Sequence, residues 1–171
     1  VDHVDELWRH RIIRDQGLTY DFSHDKLRAV ALEMVSPARR RQLHRAVAEA
    51  IAVERHKDID AASPQLAAHY DQAGMVEPAI DAYRVAGGQA VAVSALEEAV
   101  TMFRRALALL ADLPPSPERD ALELNIRIAL GSPLVALEGY GSKGAHQLYE
   151  RALSLCRTLH RPVDPPILRG L

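Results

Sequence analysis

Ser23, His24 and Asp25 stand side by side in the stretch Tyr20-Asp-Phe-Ser-His-Asp-Lys-Leu-Arg-Ala-Val-Ala31, where an extended run gives way to a helical one. Polar side chains at such a junction can accept the orphan N–H groups of the first helical turn, and the positive end of the helix dipole favours an anion there. A histidine in that place can touch a phosphate. The same three residues also make a plain helix cap with a partly exposed imidazole. They are not a catalytic triad, because neighbouring side chains diverge along the backbone, and no Gly-x-Ser-x-Gly turn exposes a nucleophile anywhere in the chain.

A second cluster, Arg39-Arg40-Arg41 with His44 and Arg45, forms a basic patch on one helix. No aromatic residues interleave with these arginines and the formal charge of the chain is -2, so direct nucleic-acid contact is not expected. The patch reads as a solvated helix face pairing with carboxylates such as Glu33 or Glu49. The eight histidines form no His-x3-His, His-Glu-x2-His or Cys-His cluster, so no metal is expected. Cys156, the one cysteine, excludes an intrachain disulfide and fits a reducing compartment, which makes the cytoplasm the expected location. Flanked by Leu155 and Leu159, it reads as a small buried hydrophobe. No nucleophile, metal or acid–base pair meets the needs of catalysis, and the chain is expected not to be an enzyme.

The elements that carry these residues are helical. Of 171 residues, 48% are apolar and only 5% aromatic, a balance that favours helices packed through small side chains over a β-rich core. Ser-Pro pairs at 36–37, 63–64, 116–117 and 132–133 mark helix starts, with serine as cap and proline in the first turn. Gly74, Pro114-Pro115, Gly131 and Gly139-Tyr140-Gly141 mark ends. Seven or eight helices follow. Apolar residues recur at helical intervals, as in Leu43, Val47 and Ile51 and again in Leu122, Ile126 and Leu130. One exception comes early: Ile12-Ile13 and Tyr20-Asp21-Phe22 flank Asp15-Gln16-Gly17 and predict a β-hairpin. Trp8 is expected to anchor this small N-terminal unit, and Gly87-Gly88 to permit close backbone approach inside a helix, the alternative for either being a hinge. No apolar run reaches the ~20 residues that cross a bilayer, so no membrane is expected. The chain starts at Val1 without a signal-peptide layout, which suggests a segment excised from a larger protein.

After residue 60 a motif repeats. Ala, three residues, Tyr or Phe, two residues and Ala appear as Ala79/Tyr83/Ala86, Ala99/Phe103/Ala106 and Ala145/Tyr149/Ala152. Those offsets put small, aromatic and small residues on one helix face, so a neighbouring helix can approach while the ring fills the gap. This resembles tetratricopeptide repeats, whose preceding helix carries a Leu-small-x-x-Tyr pattern matched by Leu66-Ala67 and Tyr70, with Gly74 at the turn. The first two triplets lie 20 residues apart where the repeat has about 34. The helix around 77 to 92 must therefore close one repeat and open the next.

The stretch around Ser23-His24-Asp25 resembles the His-Asp motif that closes the winged-helix subdomain of signal-transducing ATPases with numerous domains. Ser36-Pro-Ala-Arg-Arg-Arg-Gln-Leu-His44-Arg-Ala-Val-Ala48 is similar to the helix that follows in bacterial members. Gly139-Tyr-Gly-Ser142, Tyr149-Glu-Arg-Ala152 and Leu155-Cys156 resemble their tetratricopeptide region, and Arg169-Gly-Leu171 the opening of a further repeat. The resemblance implies an all-α, tetratricopeptide-like array preceded by the remnant of a winged helix with a short β-hairpin. Residues 1–58 would end the winged helix and its linking helices, and 59–171 would form repeats truncated at the C-terminus. It further implies that His24 contacts a nucleotide phosphate in the intact parent, with Asp25 its structural neighbour. The parent would use ATP or ADP with magnesium. This chain has no Gly-x4-Gly-Lys-Ser/Thr loop, so the segment alone would hold no cofactor. The implied function is a sensor and coupling segment of a bacterial transcriptional regulator. It would bind a protein or small-molecule effector and relay it to the nucleotide-binding domain of the same chain. The alternatives are the same segment in a nucleotide-cyclase-linked ATPase, and a free-standing repeat scaffold in which His24 is only a cap.

Overall fold

A computed structural model describes residues 2–17 and 20–163. In chain order the elements are α1 (Asp2–Arg9), β1 (Ile13–Asp15), β2 (Tyr20–Phe22), α2 (Asp25–Met34) and α3 (Pro37–Glu54). A 3-10 turn (Asp60–Ala62) then leads to α4 (Ser63–Ala73), α5 (Val76–Ala92), α6 (Leu96–Ala111), α7 (Pro117–Glu138) and α8 (Lys143–Thr158). The fold is all-α with one short hairpin, as the periodicity predicts. Two compact units, Val1–Leu43 and His44–Leu171, divide within α3. The boundary expected after residue 58 lies farther on, in the turn that follows that helix. Arg169-Gly170-Leu171 lies outside the described residues.

In the first unit the strands pair antiparallel with Ile13 opposite Phe22 and Asp15 opposite Tyr20. Gly17 takes φ +90, a conformation that glycine adopts without strain, and its N–H donates to Asp15 Oδ1 at 2.7 Å. Arg14 and Asp21 pair across the strands at 3.2 Å. Trp8 departs from expectation: it is 56% exposed and anchors nothing. Its helix has only two turns, and Ile13 is the one buried apolar side chain among the described residues of the unit, too little material to cover an indole.

In the second unit, each helix from α4 to α8 packs on the next, and α5 lies against both α4 and α6. All three small-aromatic-small triplets face the interior: Ala79, Ala86, Ala99, Phe103, Ala106, Ala145, Tyr149 and Ala152 are buried, and Tyr83 is half-buried. Leu66 and Ala67 are buried too, and Gly74 ends α4 in the left-handed region at φ 75.

The Ser-Pro marks divide. Ser36 and Ser116 cap as expected, their Oγ atoms accepting from Arg39 N and Arg119 N at 3.3 and 3.1 Å. Ser63 instead lies inside α4, where its hydroxyl donates to Ile59 O, because the 3-10 turn already feeds the helix. Ser132-Pro133 starts nothing, and Gly131 ends nothing: α7 runs through both for 22 residues. Leu130, Gly131, Pro133 and Leu134 are all buried, and that packing outweighs the backbone hydrogen bond a mid-helix proline forfeits. The expected stripe on α3 is also corrected. Leu43 and Val47 are exposed, while Ala48 is fully buried in a cluster with Ala62, Leu66, Ala67 and Ala82. The small side chain admits its neighbours closely and sets which face of α3 turns inward.

Candidate functional site

His24 occupies the N-cap position of α2 with extended backbone (φ -142, ψ 138), directly after β2, so the structure places it at the strand-to-helix junction. It caps the helix through its backbone, the carbonyl accepting from Leu27 N and Arg28 N, while its side chain makes no capping bond. The imidazole is exposed. Asp25 follows in the first turn, exposed, and pairs with Arg28 at 3.1 Å. The carboxylate thus complements the helix dipole while the histidine stays open to an incoming group.

Three arginines of the basic patch make local contacts. Arg40 Nη2 donates to Leu32 O and Val35 O at 3.0 and 3.3 Å and closes the end of α2, while Arg39 donates to Gln42 Oε1. Arg45 pairs with Glu49 at 3.8 Å, as expected; among the described residues Glu33 takes none of the arginines.

Tertiary folding brings together groups that spacing does not connect. His44 on α3 and His69 on α4 meet with their Nδ1 atoms 3.0 Å apart and ring centroids 5.1 Å apart. Burial, and then the facing His44, hold the His69 pKa below its ordinary value. Asp71 on α4 accepts both Nε and Nη2 of Arg105 on α6 at 2.6 and 2.7 Å, and the Tyr83 hydroxyl on α5 at 3.1 Å, so one carboxylate ties three helices. The Arg105 bonds hold the Asp71 carboxyl below its usual range. Arg104 on α6 reaches Glu138 on α7 at 2.8 Å.

The densest polar cluster lies between α7 and α8. Glu123, only 6% exposed, accepts from Arg127 Nε at 2.8 Å and from Arg151 Nε and Nη2 at 2.9 Å each. Those bonds, Arg151's first, pull its pKa down to about 2 against the burial that opposes them. Arg119 joins from one turn earlier, donating Nε to Leu110 O and Nη1 to Asp120. The three arginines and Glu123 line a cleft of about 90 Å³ walled by Leu107, Leu110 and Ala111. A larger cavity of about 400 Å³ shares Leu110 and Arg119 and is lined further by Leu113, Pro114, Leu122, Ser116, Glu77 and Glu118. Sequence reasoning passed over this cluster. The signal was present in Arg119, Glu123 and Arg127, four residues apart on one helix face, but Arg151 comes from another helix and could not be joined to them by spacing.

Among the described residues no group of three or more His, Cys, Asp or Glu side chains is placed to hold a metal ion. None of their helices is long and apolar enough to cross a membrane. Cys156 is buried at 1% exposure, as its flanking leucines predict.

The fold and its polar clusters define an all-α chain of sequentially packed helices with a small hairpin-bearing unit ahead of them. The chain is 32% identical over 153 residues to the uncharacterized protein R02095 of Rhizobium meliloti (strain 1021), a match that takes in 89% of this chain. It spans about 15% of the length of that relative. No protein-family model matches the chain, and no solved structure matches it.

Proposed function

We propose that this chain is a non-catalytic sensor and coupling segment of a multidomain bacterial transcriptional regulator of the signal-transducing ATPase class, working in the cytoplasm. The observation that carries the reading is the exposed His24 at the strand-to-helix junction, in one chain with an array whose small-aromatic-small triplets are buried. Such an array offers a surface for a protein or small effector, and a ligand that prefers one of two arrangements shifts their populations. His24 would report the phosphate of ATP or ADP, with magnesium, held by a nucleotide-binding domain elsewhere in the parent. The much greater length of the Rhizobium meliloti relative supports a multidomain parent. So does the apolar surface of the first unit, where Trp8, Val30, Leu32 and Met34 are exposed and α2 buries no residue.

A second reading, a repeat scaffold with no nucleotide link, is supported by the sequential packing of α4 to α8, whose buried triplets need no nucleotide to explain them. Calorimetric titration of ATP and ADP into this chain and into the full-length protein, each with a His24→Ala counterpart, separates the two. The switch reading expects nucleotide binding by the full-length protein alone, with ADP weakened by the substitution. Indifference to nucleotide in all four proteins would leave the scaffold.

A further inference from the structure

We propose that the cleft bounded by Arg119, Arg127 and Arg151 binds the single acidic group of an amphipathic small molecule whose apolar body fills the adjoining cavity. Glu123 uses one nitrogen of Arg127 and two of Arg151, and Arg119 spends two of its own on Leu110 O and Asp120. Both terminal nitrogens of Arg127, Nη1 of Arg151 and Nη2 of Arg119 have no partner among the described residues. The unpartnered nitrogens of Arg119 and Arg127 are open to solvent, and the Arg151 side chain is 43% exposed. Glu123 accepts three bonds and is ionised, and it acts as the spacer that holds two guanidinium planes in place.

Charge sets the ligand's valence. Three arginines against Glu123 and Asp120 leave a surplus of one positive charge, suited to a monoanion. Size points the same way. A volume of about 90 Å³ is about three waters' worth, enough for a carboxylate and too small for a nucleotide. The neighbouring cavity of about 400 Å³ lies within the range of small-molecule sites, and Leu110, Leu113, Pro114 and Leu122 give it a largely apolar lining. Glu77 and Glu118 on that lining repel negative charge from this cavity, which confines the acidic group to the arginine cleft. The occupant is therefore a carboxylic acid with one apolar body. That it is the effector of the array rests on the sensor reading above; the affinity of the cleft does not.

The test is titration of octanoate and acetate into the 171-residue chain at matched chloride concentration, followed by calorimetry and by the Nε–H signals of the arginines in nitrogen-15 correlation spectra. Octanoate is expected to bind more tightly than acetate and to move the Arg119, Arg127 and Arg151 signals. Arg127→Gln, which leaves the two-pronged Arg151 contact on Glu123, is expected to weaken octanoate about tenfold or more, the worth of a lost charge-assisted hydrogen bond. The wild-type spectra decide the question even if that variant folds poorly. Octanoate binding no tighter than acetate, arginine signals that stay still, or an Arg127→Gln chain that binds like wild type would each overturn the proposal. Failure of the nucleotide experiment on the full-length protein, with octanoate binding intact, would remove the sensor reading and leave the cleft.

Discussion

The imidazoles of His44 and His69 face each other across 3.0 Å through Nδ1 atoms, so one must donate and the other accept, and the pair holds together only while at least one ring is neutral. His69 binds its proton more weakly in the fold than in the unfolded chain, because of burial first and the facing ring second. With its folded pKa below the ordinary 6.5, the unfolded chain takes up more protons as pH falls beneath that value. Stability is therefore unaffected by His69 above about pH 6.5 and is lost progressively below it, until pH passes the lowered folded value. Thermal melts between pH 7.5 and pH 5 are expected to show a falling Tm, with a shallower fall in His69→Gln; identical slopes would mean that the pair does not titrate as described. Nothing in the sequence announces this contact. The two histidines are 25 residues apart and match no ligand spacing, whereas Cys156 declared its burial through its own neighbours.

The triplets show how far a helix face can be read in advance. Three alanine-aromatic-alanine offsets predict close helix approach, and the rings do lie against backbone. A Cβ at Gly87 would sit 2.7 Å from Phe103 Cε1, and one at Gly131 would sit 2.7 Å from the Tyr149 hydroxyl. Gly88, the second half of the same pair, has nothing within 4 Å of such an atom. The two glycines should thus respond in opposite directions. Gly88→Ala gains helix propensity and is expected to stabilise by about 0.5–1 kcal/mol, while Gly87→Ala collides with a buried ring and is expected to cost about 1–3 kcal/mol. Urea denaturation of the two variants checks this, and equal shifts of either sign would contradict it. Composition treats both positions alike, and so it does with Gly131 and Pro133. Those residues read as an end and a start, yet they lie in the middle of α7, because a buried helix segment tolerates what an exposed helix would not.

Across the whole chain, burial is uneven. Phe103, Ile80, Leu110 and Ile126 are almost wholly enclosed within α5, α6 and α7, whereas α2 has no buried residue and the first unit buries only Ile13 among its described apolar side chains. Opening free energy follows the density of buried apolar contact. Amides of α5 to α7 are expected to exchange with solvent most slowly and those of α1, the hairpin and α2 fastest, in native-state hydrogen exchange. Comparable protection in α2 and α6 would show that the first unit is held by something other than its own core. The polar ties follow the same order, with Asp71 joining α4, α5 and α6 and Glu138 and Glu123 fastening α6 to α7 and α7 to α8.

What the sequence determined by itself is local and periodic: the all-α class, the hairpin at Ile13 and Phe22, the caps at Ser36 and Ser116, the turn at Gly74, and the inward triplets. Each depends on residues within about one or two turns of one another, so propensity, capping and spacing suffice. Tertiary structure alone decided which of two equivalent glycines is crowded, that α7 passes through Pro133, that Trp8 is left outside, and that Arg119, Glu123, Arg127 and Arg151 line one cleft. These outcomes depend on which helix covers which face, and side chains from separate helices meet at distances that no one-dimensional pattern encodes.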